Sequence, residues 1–279
     1  HNLFEAGSVD DTIASIGEAR TLTNVIAIPD ITIRITPRGG GAAYEAAQFT
    51  YVDFHQYLIA INADLASGTE ATREPVDRNF DILGVNGTAA LSTYYAEGGI
   101  TLTTAGADGD EMILLPHLDT KQSGWAQTTW GTDRQVEWEC HIQSGANITN
   151  AITWAGLKLT NTEVLATDND QAFFRYEDDV SSGALIAVYS IGGTDTSVNT
   201  GITWAVSTKY RLLVAIDSSR IARFYVGIAG AAMTLVATST ALTDAIDLIP
   251  YIGVAADGAA AAKAITVFHQ SISRQLGVS

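Results

Sequence analysis

From about residue 99 onward, apolar and polar residues alternate with a period of two. The clearest run is Gln135 to Gln143. Val136, Trp138, Cys140 and Ile142 share one face there, and Gln135, Glu137, Glu139, His141 and Gln143 share the other. Successive side chains of a strand point to opposite faces, so the run predicts a half-buried antiparallel strand, apolar inward and polar outward. Further strands are predicted over 99–104, 111–116, 151–159, 171–177, 184–191, 202–206, 209–216, 221–228, 233–238, 249–255 and 263–274. Turn signals separate many of them: Ser144-Gly145, Asp178-Asp179 to Gly183, Gly192-Gly193, Asp217-Ser218-Ser219 and Asp257-Gly258. Short strands in such number, with hardly any helix, predict a mainly β protein of two face-packed sheets, a sandwich or jelly roll.

Residues 1–95 have a different rhythm, and Gly84, Gly87, Gly98 and Gly99 mark the change to the sandwich at 96–279. Ile13, Ile16 and Ala19, after Asp10 and Asp11, predict a short amphipathic helix. Val25 to Ile28, and then Ile31, Ile33 and Ile35 alternating with polar residues, predict extended segments. Tyr44, Ala47, Tyr51, Phe54, Leu58, Ile61 and Leu65 recur in steps of three and four, which fits a helix of about three heptads. The aromatic and β-branched content of 49–61 leaves a strand open as the alternative. An ordinary core helix explains the stripe. The sharper reading is a partner seam of Tyr44, Tyr51, Phe54, Leu58, Ile61 and Leu65, in a small mixed α/β region that anchors or oligomerises the protein.

Composition narrows the class. Lysine and arginine total 15 against 31 acidic residues, a net charge of −16. Only four residues are lysine: Lys121, Lys158, Lys209 and Lys263. So acidic a chain is a poor partner for phosphate, which argues against nucleic-acid binding. No apolar run reaches the roughly 18 residues a membrane helix needs. The opening His-Asn-Leu-Phe-Glu-Ala-Gly lacks the pattern of a secretory leader. Charged residues make up 16% of the chain, against roughly 25% in soluble domains generally. A single cysteine, Cys140, allows no internal disulfide and reads as a small buried hydrophobe.

Candidate chemistry is sparse. The five histidines (1, 55, 117, 141 and 269) show no metal-ligand spacing, and no nucleophile elbow, phosphate loop or dinucleotide fingerprint occurs. Glu137 and Glu139 would share one face of a strand about 6–7 Å apart, near the roughly 5–5.5 Å carboxyl spacing of retaining glycosidases. The E-x-D-x-x-E pattern of jelly-roll glycosidases, or a close variant of it, is not met, because Glu139 replaces the central Asp, and Ile142 or His141 stands where the final Glu belongs. A solvated polar face is the plainer reading, and no catalytic residue is assigned. Asp168 and Asp170 could offer oxygens to calcium, although acidic turns are mostly just turns. No other cofactor is expected. All five tryptophans fall between 125 and 204, and Trp125 and Trp130, in a polar stretch, are the candidates for stacking on a sugar ring.

Several segments together suggest a family. They are Trp138-Glu139-Cys140-His141-Ile142, Trp154-Ala155-Gly156-Leu157, Asp168 to Tyr176, Tyr210 to Asp217, Ala222 to Gly227, and Leu248 to Val254. Residues 124–276 resemble the concanavalin-A-like (laminin-G-like) jelly roll of tailed-phage virion structural proteins. The resemblance implies a non-enzymatic capsid decoration or head-fibre subunit on the virion surface, assembled in the host cytoplasm. Its expected partners are the capsid protein and copies of itself, as a trimer, with attachment through residues 1–95. The alternative is a carbohydrate-binding adhesin or tail-fibre module that meets host-surface glycans. A polysaccharide-cleaving enzyme on the same fold is the weaker alternative.

Overall fold

The computed structural model describes residues 48–53, 65–67, 80–96, 98–115, 129–159, 167–228, 230–258 and 261–276. All of them belong to one compact unit, Arg38–Ser279. In chain order its strands are β1 (Gln48–Asp53), β2 (Leu65–Ser67), β3 (Phe80–Leu83), β4 (Ser92–Tyr94), β5 (Ile100–Thr103), β6 (Glu111–Leu115), β7 (Glu137–Ser144) and β8 (Ala151–Lys158). They continue as β9 (Gln171–Glu177), β10 (Ala184–Ile191), β11 (Thr194–Thr203), β12 (Lys209–Ile216), β13 (Ile221–Ile228), β14 (Thr234–Ala241), β15 (Ile249–Ala256) and β16 (Ala264–Leu276).

These strands form two eight-stranded sheets. The first runs β14-β13-β12-β7-β16-β5-β4, with β1 also paired to β16. The second runs β11-β10-β9-β8-β15-β6-β3-β2. Of the strand pairs, β2 with β3 is parallel; the rest are antiparallel. A two-sheet β sandwich is therefore what the alternation encodes.

The inner faces supply the core. Trp138, Cys140 and Ile142 of β7 meet Leu212 and Val214 of β12 and Phe224 of β13, all inside one buried cluster. Residues of the second sheet close it from the other side, and Phe174 packs edge-on against Phe224 with ring centroids 5.4 Å apart. Trp204, in the connection from β11 to β12, stacks between Tyr210 at 4.3 Å and Tyr176 at 5.8 Å. Both tyrosine hydroxyls keep a partner in this apolar setting: Tyr210 donates to the Thr203 carbonyl and Tyr176 to that of Ile148. Burial pushes the Tyr176 phenol up to about 12.

Two expectations need correction. The stripe from Tyr44 to Leu65 is not one helix, because Gln48–Asp53 is a strand whose six residues register against Ser271–Leu276 of β16. Phe49, Tyr51 and Val52 are good strand formers, and the ladder offered by β16 overrides the three-and-four spacing. Leu65 begins β2, while Tyr44, Phe54, Leu58 and Ile61, like the helix expected near Ile13, lie outside the described residues. The second correction is β11, a strand of ten residues where only 202–206 was expected. A Gly192-Gly193 turn, both residues at positive φ (56° and 84°), folds it back on β10. The sheets also take strands β1 to β4 from the stretch read above as residues 1–95.

Replacing Trp204 by Ala empties the space between two stacked rings and should cost about 3–5 kcal/mol. Urea unfolding checks this: the midpoint should fall with the slope unchanged.

Candidate functional site

Because the inner faces of β7, β12 and β16 are spent on the core, their polar residues collect on the outer face of the first sheet. Register sorts them into rows. Arg211 stands opposite His141, and His141 opposite His269. One row away Leu213 stands opposite Glu139, and Glu139 opposite Ser271. On the other side Lys209 faces Gln143. A register irregularity in β16 between Val267 and His269 brings both Phe268 and His269 to this face. There the His141 and His269 rings lie 5.3 Å apart, and the Lys209 ammonium sits 4.8 Å over the Phe268 ring.

Glu139 organises the face. It is a nearly buried carboxylate, 8% exposed. Arg211 donates to it twice, from Nε to Oε1 at 2.6 Å and from Nη2 to Oε2 at 3.1 Å. Those bonds hold the Arg211 guanidinium above its ordinary range, against a smaller opposing effect of burial. His141 Nε2 lies 3.0 Å from the same Oε1. An ionised carboxylate only accepts, so Nε2 carries the proton and donates. Behind this row, burial pushes the Cys140 thiol up, as befits a packed hydrophobe.

Beside the cluster lies a groove of about 410 Å³. Its floor and walls are His141 and Ile142 of β7, Lys209, Tyr210 and Arg211 of β12, Phe268 of β16, and Gly230 and Ala231 of the loop after β13. Gly227, the β13 residue in register with Arg211, leaves little room for a side chain. A Cβ there would come within 3.0 Å of the Ala231 carbonyl oxygen and 3.1 Å of Met233 Sδ.

The outer face of the second sheet is of another kind. Trp154, Phe173, Ile186 and Val188 form one buried apolar cluster, and Leu83, Ile113, Leu115 and Tyr251 another. Both lie outside the main core, on the opposite side of the sheet by strand alternation.

Comparison with solved structures places this architecture. A protein of unknown function from Shewanella oneidensis MR-1 matches 88% of this chain and 98% of its own, at a TM-score of 0.53 and 11% identity. Peanut lectin, solved with a nine-residue peptide, matches 83% of this chain and 100% of its own, at 0.52 and 9%. Winged bean acidic lectin, complexed with methyl-α-D-galactose, matches 82% and 100%, at 0.50 and 7%. The fold is a concanavalin-A-like jelly roll. No protein-family model matches the sequence, and a search of curated proteins gives no match.

The jelly roll rearranges the other sequence candidates. Trp130 is 1% exposed and belongs to the main core. Its polar surroundings concealed a pairing of Gly131 with Asp247 that pulls it inward. Trp130 is thus no sugar platform, and Trp125 lies outside the described residues. Asp170 is 7% exposed and accepts from the Thr243 hydroxyl and the Gly192 N–H, so it ties loops together. Asp168 accepts from the Asn169 N–H at 2.8 Å. Among the described residues the acidic trio close enough to share a cation is Glu177, Asp179 and Asp257, to which neither belongs. Arg175 already pairs with Glu177 of that trio. The Glu137 and Glu139 pair is split by role, because a carboxylate gripped by a guanidinium fork makes a poor proton donor.

One residue that sequence reasoning passed over is Lys158 of β8, which is 1% exposed. Its ammonium sits 4.4 Å over the Tyr251 ring and 5.3 Å over Trp154, on the second sheet's outer face. Burial lowers its pKa from 10.5 to about 8, with Asp168 and Glu111 opposing.

Two outcomes follow from these geometries. Arg211→Met strands a nearly buried carboxylate and should cost about 2 kcal/mol in urea unfolding, and adding Glu139→Gln should recover part of it. Between pH 8 and 10.5 the unfolded chain holds a proton on Lys158 that the folded chain has released, so stability rises with pH across that window. Thermal melting of the native protein should show a rise worth about 1–3 kcal/mol there, absent from Lys158→Met.

Proposed function

We propose that this jelly roll is a carbohydrate-binding protein and that the groove on the outer face of its first sheet takes the sugar. The observation that carries the reading is the groove itself. It sets an aromatic ring, Phe268, one face of which carries the Lys209 ammonium, beside fixed hydrogen-bonding groups, His141 and Arg211, on three neighbouring strands. Its volume of about 410 Å³ falls in the range of ligand clefts, roughly 300–1,000 Å³. Sugar rings present apolar faces that stack on aromatics and hydroxyls that need directed partners, and this surface supplies both. Two of the similar structures are lectins, one of them complexed with methyl-α-D-galactose, which supports the same class.

Display of the sandwich on a virus particle is the second reading. Its support is the resemblance of residues 124–276 to tailed-phage modules, and it is compatible with the first, since a displayed module can meet host-surface glycans.

A glycan array with the full chain tests the proposal. Binding to a defined glycan is expected, and Phe268→Ala should weaken it about tenfold with the fold retained. An array without ligands, or binding that survives Phe268→Ala together with His141→Ala, would sink the proposal.

A further inference from the structure

Among the described residues β14 and β4 end the path of the first sheet, and β11 and β2 end that of the second. A terminal strand turns a row of N–H and C=O groups outward, where another strand can take them up. β2 and β4 are three residues long, and such shortness by itself blunts an edge. β14 meets β13 with two register irregularities, between Ile221 and Arg223 and between Phe224 and Tyr225. A bulged edge makes a poor template. β11 has neither defence. It runs for ten residues without a proline or a lysine, and its ladder with β10 is regular from Thr194 to Asn199.

The Gly192-Gly193 turn decides which way the backbone groups of β11 point. A two-residue turn closes on a hydrogen-bonded pair, here Ile191 and Thr194. Hydrogen-bonded and non-hydrogen-bonded pairs then alternate along an antiparallel ladder. Thr194, Thr196 and Val198 therefore bond to β10, and Asp195, Ser197 and Asn199 turn their N–H and C=O to the open side. These three residues are exposed. Charge favours the same place. The chain carries −16, so two copies repel each other across acidic surface. β11 holds one charged residue, Asp195, whose carboxylate already accepts from the Ser190 hydroxyl and, at 3.4 Å, from Gln171 Nε2.

We infer that β11 is the seam between two copies of this chain, paired antiparallel to itself about a two-fold axis at Ser197. In this register Ser197 meets Ser197 of the second copy, and Asp195 meets Asn199. All three outward residues are then used, and about six backbone hydrogen bonds form. The two Asp195 residues stand four positions apart along the strands, roughly 13 Å. The contact is isologous, and it joins the two second sheets into one continuous sheet. It is also narrow, so the dimer is weak, with a dissociation constant on the order of 10 µM.

Sedimentation velocity of the full chain between about 1 and 200 µM should show a monomer passing to a dimer. Ser197→Pro removes an N–H that faces the open side and none that bonds to β10. It should raise the dissociation constant at least about tenfold and leave the melting temperature of the monomer unchanged. Ser197→Lys sets two ammonium groups face to face at the axis and should do the same, which decides the matter where the proline variant misfolds. Ser197→Cys reads the register. Opposed residues of a hydrogen-bonded pair have Cα atoms about 5.5 Å apart, within reach of a disulfide. Diamide should therefore link two Ser197→Cys chains, the native Cys140 being buried. Thr194→Cys, roughly 20 Å from its own counterpart in this register, should stay unlinked. A chain that is monomeric throughout, a trimer, or a dimer indifferent to both Ser197→Pro and Ser197→Lys overturns the inference. So does a Ser197→Cys chain that fails to cross-link, or cross-linking as strong at 194 as at 197. None of these outcomes bears on sugar binding at the groove.

Discussion

The register of β7 between β12 and β16 decides what the outer face of the first sheet can be. Trp138, Cys140 and Ile142 must face inward, because each is buried in the main core. That requirement alone puts Glu137, Glu139, His141 and Gln143 on the opposite side. A slip of one residue would turn out two large apolar side chains and turn in carboxylates and a histidine, so register is held by the full energy of the core. The same constraint on β12 and β16 aligns Arg211, His141 and His269 into one row. The irregularity at Phe268 then adds a ring that strict alternation would have hidden.

Much of this was legible in the sequence because it follows from a period of two. The expected 209–216, 221–228, 184–191 and 171–177 are the observed limits of β12, β13, β10 and β9. The polar face of β7 was read correctly, and its chemistry was not. Nothing in Gln135 to Gln143 says that Glu139 is nearly buried, since the arginine that covers it lies 72 residues away. The sequence pattern misses most of β11 because an edge strand of Thr, Asp, Ser and Asn, exposed or half-buried throughout, has little apolar alternation to show. Trp130 was misplaced for a related reason. Its neighbours are polar, but a contact across more than a hundred residues, from Gly131 to Asp247, draws it in.

The helix expected across Tyr51 and Leu65 failed on a different ground. An apolar spacing of three and four suits a helix only when no sheet edge competes for the backbone, and β16 runs to thirteen residues, long enough to pair β5 with one part and β1 with another. Backbone pairing with a ready-made strand then outweighs a local period.

The Glu139–Arg211 pair is what gives the face its fixed geometry. By itself a nearly buried ion pair is weak evidence of stability, because desolvation offsets much of the Coulomb gain. What it does supply is order. Glu139 fixes the Arg211 fork through two bonds and accepts from the His141 Nε2–H through a third, so three side chains on two strands are held in one arrangement. Side chains already immobilised lose less entropy on binding, and a shallow groove such as this one has little area with which to offset such a loss. The centre of the second sheet's outer face is occupied instead by Trp154, Phe173 and Tyr251 in buried apolar clusters. On the first sheet's outer face, then, a nearly buried charge sets the donors in place, and the order it imposes is what the proposed recognition of a sugar would draw on.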